Sequence, residues 1–160
     1  MPDLYSLLER LIRQEVDFVV IGGFAGVAHG STFVTQDIDI CCDMALENLM
    51  RLQGAVADLN PVHRMTPARV PLHLTPENCT AFKNLYLDTD CGQLDCLGSV
   101  QGLGDFEAVS SNSVEIELSA GTCRVLSLDA LIRAKEAMPR PRDEEAVMEL
   151  KAIRRRRQRN

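Results

Sequence analysis

The sequence predicts one α/β or α+β domain, in which strands first alternate with helices and then pair as hairpins. Three observations carry that reading. At 160 residues and 46% hydrophobic content, the chain is long enough for a real core. Short β-rich runs closed by glycine recur among segments of helical apolar spacing. No internal repeat or long linker divides the chain.

Each element has its own signal. Leu4, Leu7, Leu8, Leu11 and Ile12 recur at helical spacing, so residues 3–15 read as an amphipathic helix. "DFVVIGG" is a short buried strand closed by glycines, and "FAGVAHG" fits a short helix opening at the Gly22–Gly23 pair. "DIDICC" is a second strand. "ALENLMRLQGAVADL" is helical, with an apolar stripe of Leu46, Leu49, Met50, Leu52 and Val56. Pro61, Pro67, Pro71 and Pro76 break residues 60–83 into loops, with an edge strand at "VPLHL". "KNLYLDTD" and "GQLDCLG" are strands joined by a turn at "TDCG", and "SVEIEL" and "TCRVLS" flank a hairpin turn at "SAG". "SLDALIRAKEAM" is a helix with Ser127 as N-cap, and "DEEAVMELKAIRRRR" is the last helix, after a break at "MPRPRDEE".

Composition narrows the class. No apolar run approaches the roughly 20 residues of a membrane span, and "MPDLYSLLERLIRQEVDF" is charged and amphipathic, unlike a signal peptide. The expectation is a soluble, cytoplasmic protein. Cys41, Cys42, Cys79, Cys91, Cys96 and Cys123 form no CxxC and no zinc spacing, which suits reduced core thiols. The tail "KAIRRRRQRN" holds six of the 17 basic residues and no acid. Residues 1–150 carry the other eleven against all 23 acids, a formal charge of −12. A broad nucleic-acid footprint needs a basic face. Arg154–Arg157 alone offer one, and they equally suit a solvated helix end.

The stretch "VIGGFAGVAHGSTFVTQDIDICCD" concentrates the chemistry. Alternation along a strand puts Asp37 and Asp39 on one face, about 7 Å apart at Cα, with Ile38 and Ile40 on the other. Neighbouring carboxylates repel unless a cation neutralises them, and Mg²⁺ takes carboxylate oxygens together with substrate phosphates. Gly22–Gly23 follows a strand and opens a helix, so backbone N–H groups can approach a phosphate. The ordered set reads as a metal–triphosphate site. A two-metal transfer usually uses a further carboxylate; Asp95, between Leu94 and Cys96 in mid-strand, is the candidate. Asp88 and Asp90 are rivals, though "LDTDCG" reads as a turn where solvated aspartates are ordinary. GxGxxG and GK[ST] loops are both absent. His29 lies one helical turn into the glycine segment, where a local hydrogen bond competes with a role in the site.

At these residues the chain resembles the DNA polymerase β-like nucleotidyltransferase superfamily. It is most similar to small stand-alone bacterial proteins related to AbiEii-type and MenT-type toxins. The superfamily pattern of Gly-Gly at a helix start, Asp-x-Asp on the next strand and a third Asp on a neighbouring strand is met by Gly22–Gly23, Asp37/Asp39 and Asp95. The subgroup pattern G-x-x-R-x-T-x-D-I-D-[IL] appears as "GSTFVTQDIDI", keeping Gly30, Thr35, Asp37 and Asp39 but carrying Phe33 in place of arginine. A later signature appears as "LIRAKEAMPRPRD". The resemblance spans residues 4–150 and implies a minimal nucleotidyltransferase fold, a mixed central sheet flanked by helices.

It implies that residues 1–150 form the nucleotidyltransferase-like domain and 151–160 a basic helix end. It implies that Asp37, Asp39 and Asp95 hold Mg²⁺ (or Mn²⁺) and that Asp95 helps deprotonate the acceptor. It also implies that Gly22, Gly23, Thr35, Lys135 and Asp143 attend the nucleotide. Lys135 equally reads as a solvated helix lysine, and Asp143 as a first-turn acid of its helix. Arg140 or Arg142 could replace the arginine missing at Phe33. The expected activity is transfer of an NMP from an NTP such as ATP to a hydroxyl, an EC 2.7.7-type reaction. The acceptor is RNA such as tRNA, a protein or a small molecule, in a toxin–antitoxin setting with an antitoxin partner or a homodimer. Two competing classes are a nucleotide-binding module with weak or lost catalysis, acting with a partner protein, and a structural interaction protein.

Overall fold

The computed structural model describes residues 2–160. Among these, nine strands and six α-helices follow one another as the sequence pattern anticipates for much of the chain. They are α1 (Leu4–Arg13), β1 (Phe18–Ile21), α2 (Gly22–Ala28), β2 (Asp37–Cys42), α3 (Leu46–Val56), β3 (Val62–His63), β4 (Asn84–Thr89) and β5 (Gly92–Leu97). Then come β6 (Ser99–Val100), β7 (Gly104–Asp105), α4 (Phe106–Ser111), β8 (Ser113–Leu118), β9 (Gly121–Leu126), α5 (Leu128–Ala137) and α6 (Glu144–Arg159).

Seven strands form a mixed sheet in the order β3-β4-β5-β2-β1-β9-β8, while β6 and β7 pair separately. β2 lies at its centre, antiparallel to β1 and parallel to β5. Side chains alternate across a strand, and the register turns that rule into two unlike faces. Ile38 pairs with Leu94 and Ile40 with Cys96, all fully buried. α1 packs over this face, as the methyl of Ile12 beside Gly121 and Leu4 beside Gly92 show. Asp39 pairs with Asp95 and with Ile21 on the opposite face. There α2 lies against β1 and β2 and packs on α5, which packs on α6.

Local chemistry explains the helix starts. Asp3 accepts the Ser6 amide at 3.1 Å and caps α1. Ser127 accepts the Ala130 amide at 3.2 Å and caps α5, as its sequence predicts. α6 runs unbroken through the arginine run to Arg159. No helix of the described residues is long and apolar enough to cross a membrane.

Three expectations need correction. The edge strand is Val62–His63, and of "VPLHL" Pro71 alone bridges to Val62, flanked by the His63 amide donating to the Val70 carbonyl at 2.8 Å and the Leu72 amide donating to the Pro61 carbonyl at 2.9 Å. Asp88 lies within β4, not in a solvated turn, and pairs with Arg69 at 2.6 Å. In α3, Leu49, Leu52 and Val56 are buried but Leu46 and Met50 are exposed. Asn48 is buried in their stead, because its amide meets the Asp17 amide and carbonyl and the Asp43 carbonyl at 2.7, 3.0 and 2.7 Å.

Candidate metal and nucleotide site

β2 and β5 are neighbours in parallel register, and this brings the three sequence-predicted carboxylates together. Asp37, Asp39 and Asp95 each place a carboxylate oxygen within 4.8 Å of the others, and all three are half-buried. They line a cleft of about 490 Å³. Burial, then the charges of Asp37 and Asp95, push Asp39 up to about 6, against the opposing pull of Arg64 and Lys135. Burial also raises Asp95, despite its ion pair with Arg64. Three crowded carboxylates, of which burial raises Asp39 and Asp95, offer the hard oxygen donors that a divalent cation takes.

Gly22 has φ +68°, in the left-handed region, and any side chain there would run into the Asp39 carboxylate. Bare backbone at this point is therefore what leaves room for the aspartate. A Cβ at Gly23 would sit 3.1 Å from Thr35 Oγ1. Thr35 itself donates locally, to the Asp37 carbonyl at 3.1 Å or its carboxylate at 3.3 Å, and so orients Asp37.

The end of α5 and the turn after it form the facing wall. Lys135 and Asp143 both line the cleft, 3.9 Å apart at Nζ and Oδ1, and Arg140 donates from Nε to Asp143 at 2.6 Å. Of the two arginines that could stand in for the residue missing at Phe33, Arg140 is thus engaged. Arg142 lines the cleft without an acidic partner among the described residues. Phe33 also lines the cleft and is 43% exposed. His29 does not reach the carboxylates: it is buried, with Nε2 2.6 Å from the Leu126 carbonyl, and burial lowers its pKa.

Two participants escape sequence reasoning. Glu149 of α6 accepts from Ser31 Oγ at 2.6 Å, the Thr32 amide at 3.0 Å and Thr32 Oγ1 at 2.5 Å. It thereby ties down the loop that leads into β2. Arg64 donates to Asp95 and lies over the Tyr86 ring, 5.8 Å from its centroid. Neither residue is marked by a local motif, since their partners lie 117–118 and 31 positions away in the chain.

No protein-family model and no curated protein matches the chain. Solved structures do. A candidate nucleotidyltransferase of Thermotoga maritima, TM1012, superposes with a TM-score of 0.58 at 18% identity, covering 91% of this chain and 88% of that one. The chain shares that nucleotidyltransferase fold. ANT(2″)-Ia in complex with adenylyl-2″-tobramycin matches with a TM-score of 0.56 at 14% identity, over 91% of this chain and 83% of that one. The solution structure of the antibiotic-resistance factor ANT(2″)-Ia gives 0.52 at 18% identity, over 96% and 89%. The α/β class is therefore as the sequence predicts, and the mixed sheet flanked by helices as the family resemblance implies.

Proposed function

We propose that the chain is a divalent-metal-dependent nucleotidyltransferase that moves an NMP from an NTP to a hydroxyl. The observation that carries this reading is the convergence of Asp37, Asp39 and Asp95 in a cleft whose opposite wall bears Lys135 and Arg142. Likeness in fold to TM1012 and ANT(2″)-Ia supports it.

In this reading Asp37, Asp39 and Asp95 hold Mg²⁺ or Mn²⁺, which when bound neutralises triphosphate charge and activates the α-phosphoryl group. Gly22 and Gly23 present backbone to the triphosphate beside the carboxylates. Lys135 and Arg142 face the nucleotide from across the cleft, Lys135 held in place by Asp143. Asp95, whose Oδ1 is engaged by Arg64, offers Oδ2 to the metal. Thr35 and Gly22 keep Asp37 and Asp39 in register, so catalysis here is chiefly positioning and charge compensation.

The test is label transfer. The protein is incubated with each α-labelled NTP and Mg²⁺, separately with total RNA, an aminoglycoside and lysate protein. The acidic body suits a cationic aminoglycoside, as in the adenylyl-tobramycin complex of ANT(2″)-Ia. The arginine run of α6 suits RNA. Transfer to one acceptor, abolished by Asp37→Ala and by Asp39→Ala, is expected; transfer that survives both substitutions overturns the reading. A toxin-type role is tested by growth arrest on expression that depends on the same two aspartates. A second reading, a binding module without catalysis, is favoured by Phe33 at a cleft position where the resembled proteins carry arginine. Metal-dependent NTP binding with no transfer to any acceptor would establish it.

A further inference from the structure

We infer that Arg64 is a positioning residue for Asp95, one that selects which carboxylate oxygen enters the metal site. The inference rests on the metal-site reading above and concerns a residue outside the cleft lining.

The geometry begins in the ladder. Val62 pairs with Asp88 and His63 with Leu87, and the Arg64 amide continues the register by donating to the Tyr86 carbonyl at 2.8 Å. Tyr86 in turn pairs with Asp95, and Asp95 with Asp39. Tyr86, Asp95 and Asp39 thus form one rung across β4, β5 and β2, and Arg64, just past the end of β3, extends it. Strands lie about 4.8 Å apart, so Arg64 and Asp95 are separated by two such steps. A fully extended arginine spans that gap only by lying across the residue between them. The guanidinium does lie over the Tyr86 ring, and its Nη2 reaches Asp95 Oδ1.

The head group is steered from a second side. Asp88 Oδ1 stands 3.9 Å from Arg64 Nε, and Asp88 is itself held by Arg69 at 2.6 Å. Arg64 Nε is buried and has no hydrogen-bond partner among the described residues. A desolvated donor left unsatisfied is costly. It is tolerated here because ring, ion pair and neighbouring acid together fix the guanidinium in one orientation. The Arg64 and Asp95 side chains are only 22% and 16% exposed, so water does not readily replace either contact. Asp95 is left with Oδ1 committed to Arg64 and Oδ2 without a protein donor among the described residues. Partners that orient a ligating carboxylate typically change metal affinity or activity about 10–100-fold when removed.

A purely electrostatic role and a positioning role predict opposite signs. Removing a nearby cation would by itself tighten divalent-metal binding to three carboxylates. Losing the orientation of Asp95 would weaken it. The experiment titrates Mn²⁺ alone into wild-type protein and Arg64→Gln, Arg64→Lys and Tyr86→Leu variants, followed by the electron paramagnetic resonance of free Mn²⁺. Thermal melts confirm that each variant is folded. Arg64→Gln is expected to bind Mn²⁺ about tenfold more weakly. Arg64→Lys should recover only part of that loss, since it restores charge without the planar fork. Tyr86→Leu should show a smaller loss with Arg64 still present. In transfer assays at saturating metal, kcat should fall while the nucleotide KM moves little.

Unchanged or tighter Mn²⁺ binding in Arg64→Gln overturns the positioning role, as does full recovery by lysine. If Arg64→Gln does not fold, Arg64→Lys decides, and wild-type affinity in it overturns the role. Wild-type protein that binds no Mn²⁺ overturns the metal-site reading itself, a result distinguishable from the others because it appears before any substitution is made.

Discussion

The two faces of β2 are made by alternate residues of one six-residue strand, yet they serve opposed ends. Ile38 and Ile40 point into an aliphatic layer with Leu94 and Cys96 and are fully buried. Asp37 and Asp39 point into the cleft, where burial and mutual repulsion push Asp39 up to about 6. One face stabilises the fold and the other works against it. Cys41 shows where the division ends: by alternation it shares the aspartates' face, but it is fully buried, and burial pushes its thiol up to about 12. The difference between Asp39 and Cys41 is therefore one of cover, not of strand geometry.

Substitutions on the two faces should separate stability from chemistry. Ile40→Ala is expected to cost about 2–5 kcal/mol in urea unfolding, with transfer activity retained by whatever fraction folds. Asp39→Asn should do the reverse, lowering transfer more than about 100-fold, beyond the loss of an outer partner alone. It should also raise the stability of EDTA-treated protein near neutral pH by about 1–2 kcal/mol. The sign follows from linkage. Because the folded value near 6 lies above the unfolded one near 4, the folded chain binds the extra proton in that window. Wild-type stability from this group therefore increases as pH falls from about 6 to about 4, and Asp39→Asn removes that slope. A loss of apo-protein stability in Asp39→Asn would break the contrast between the faces.

Gly22→Ala joins the two effects at a smaller scale. The left-handed backbone at φ +68° should cost about 1–2 kcal/mol for a residue with a side chain. The new methyl would also displace the Asp39 carboxylate, and a misplacement of about 1 Å can cost on the order of 100-fold in rate. Activity should thus fall further than the melt suggests. Smallest of all, Arg154→Ala removes an exposed pair with Asp129, 3.2 Å apart, and should stay within about 0.5 kcal/mol by thermal melt. A larger effect there would mean that the basic helix end contributes to the fold more than its exposure implies.

What is legible in the sequence is what alternates or caps locally. "DIDICC" is β2 without a residue's difference, the Gly22–Gly23 pair opens α2, and Ser127 caps α5, because each depends on neighbours two to four positions away. The third carboxylate is legible as a mid-strand acid, but its approach to Asp39 depends on β5 lying beside β2. Arg64, Glu149 and Asn48 carry no such mark. Their partners are distant in sequence, and a lone arginine after a histidine in a proline-rich stretch has no periodicity to betray it. Asp88 departs from its expected turn for the same reason: "LDTDCG" has turn composition, whereas Arg64 and Arg69 hold its carboxylate on the strand.

Glu149 binds Ser31 and Thr32, and Arg157 donates to the His29 carbonyl at 3.2 Å, so one late helix fastens an early loop. Synthesis on a ribosome runs the other way, with N-terminal segments available first. The aspartates of β2 emerge more than a hundred residues before the helix that secures the approach to them. A nascent chain therefore carries the acidic residues long before it can complete their surroundings, which come only with the translation of residues 144–157.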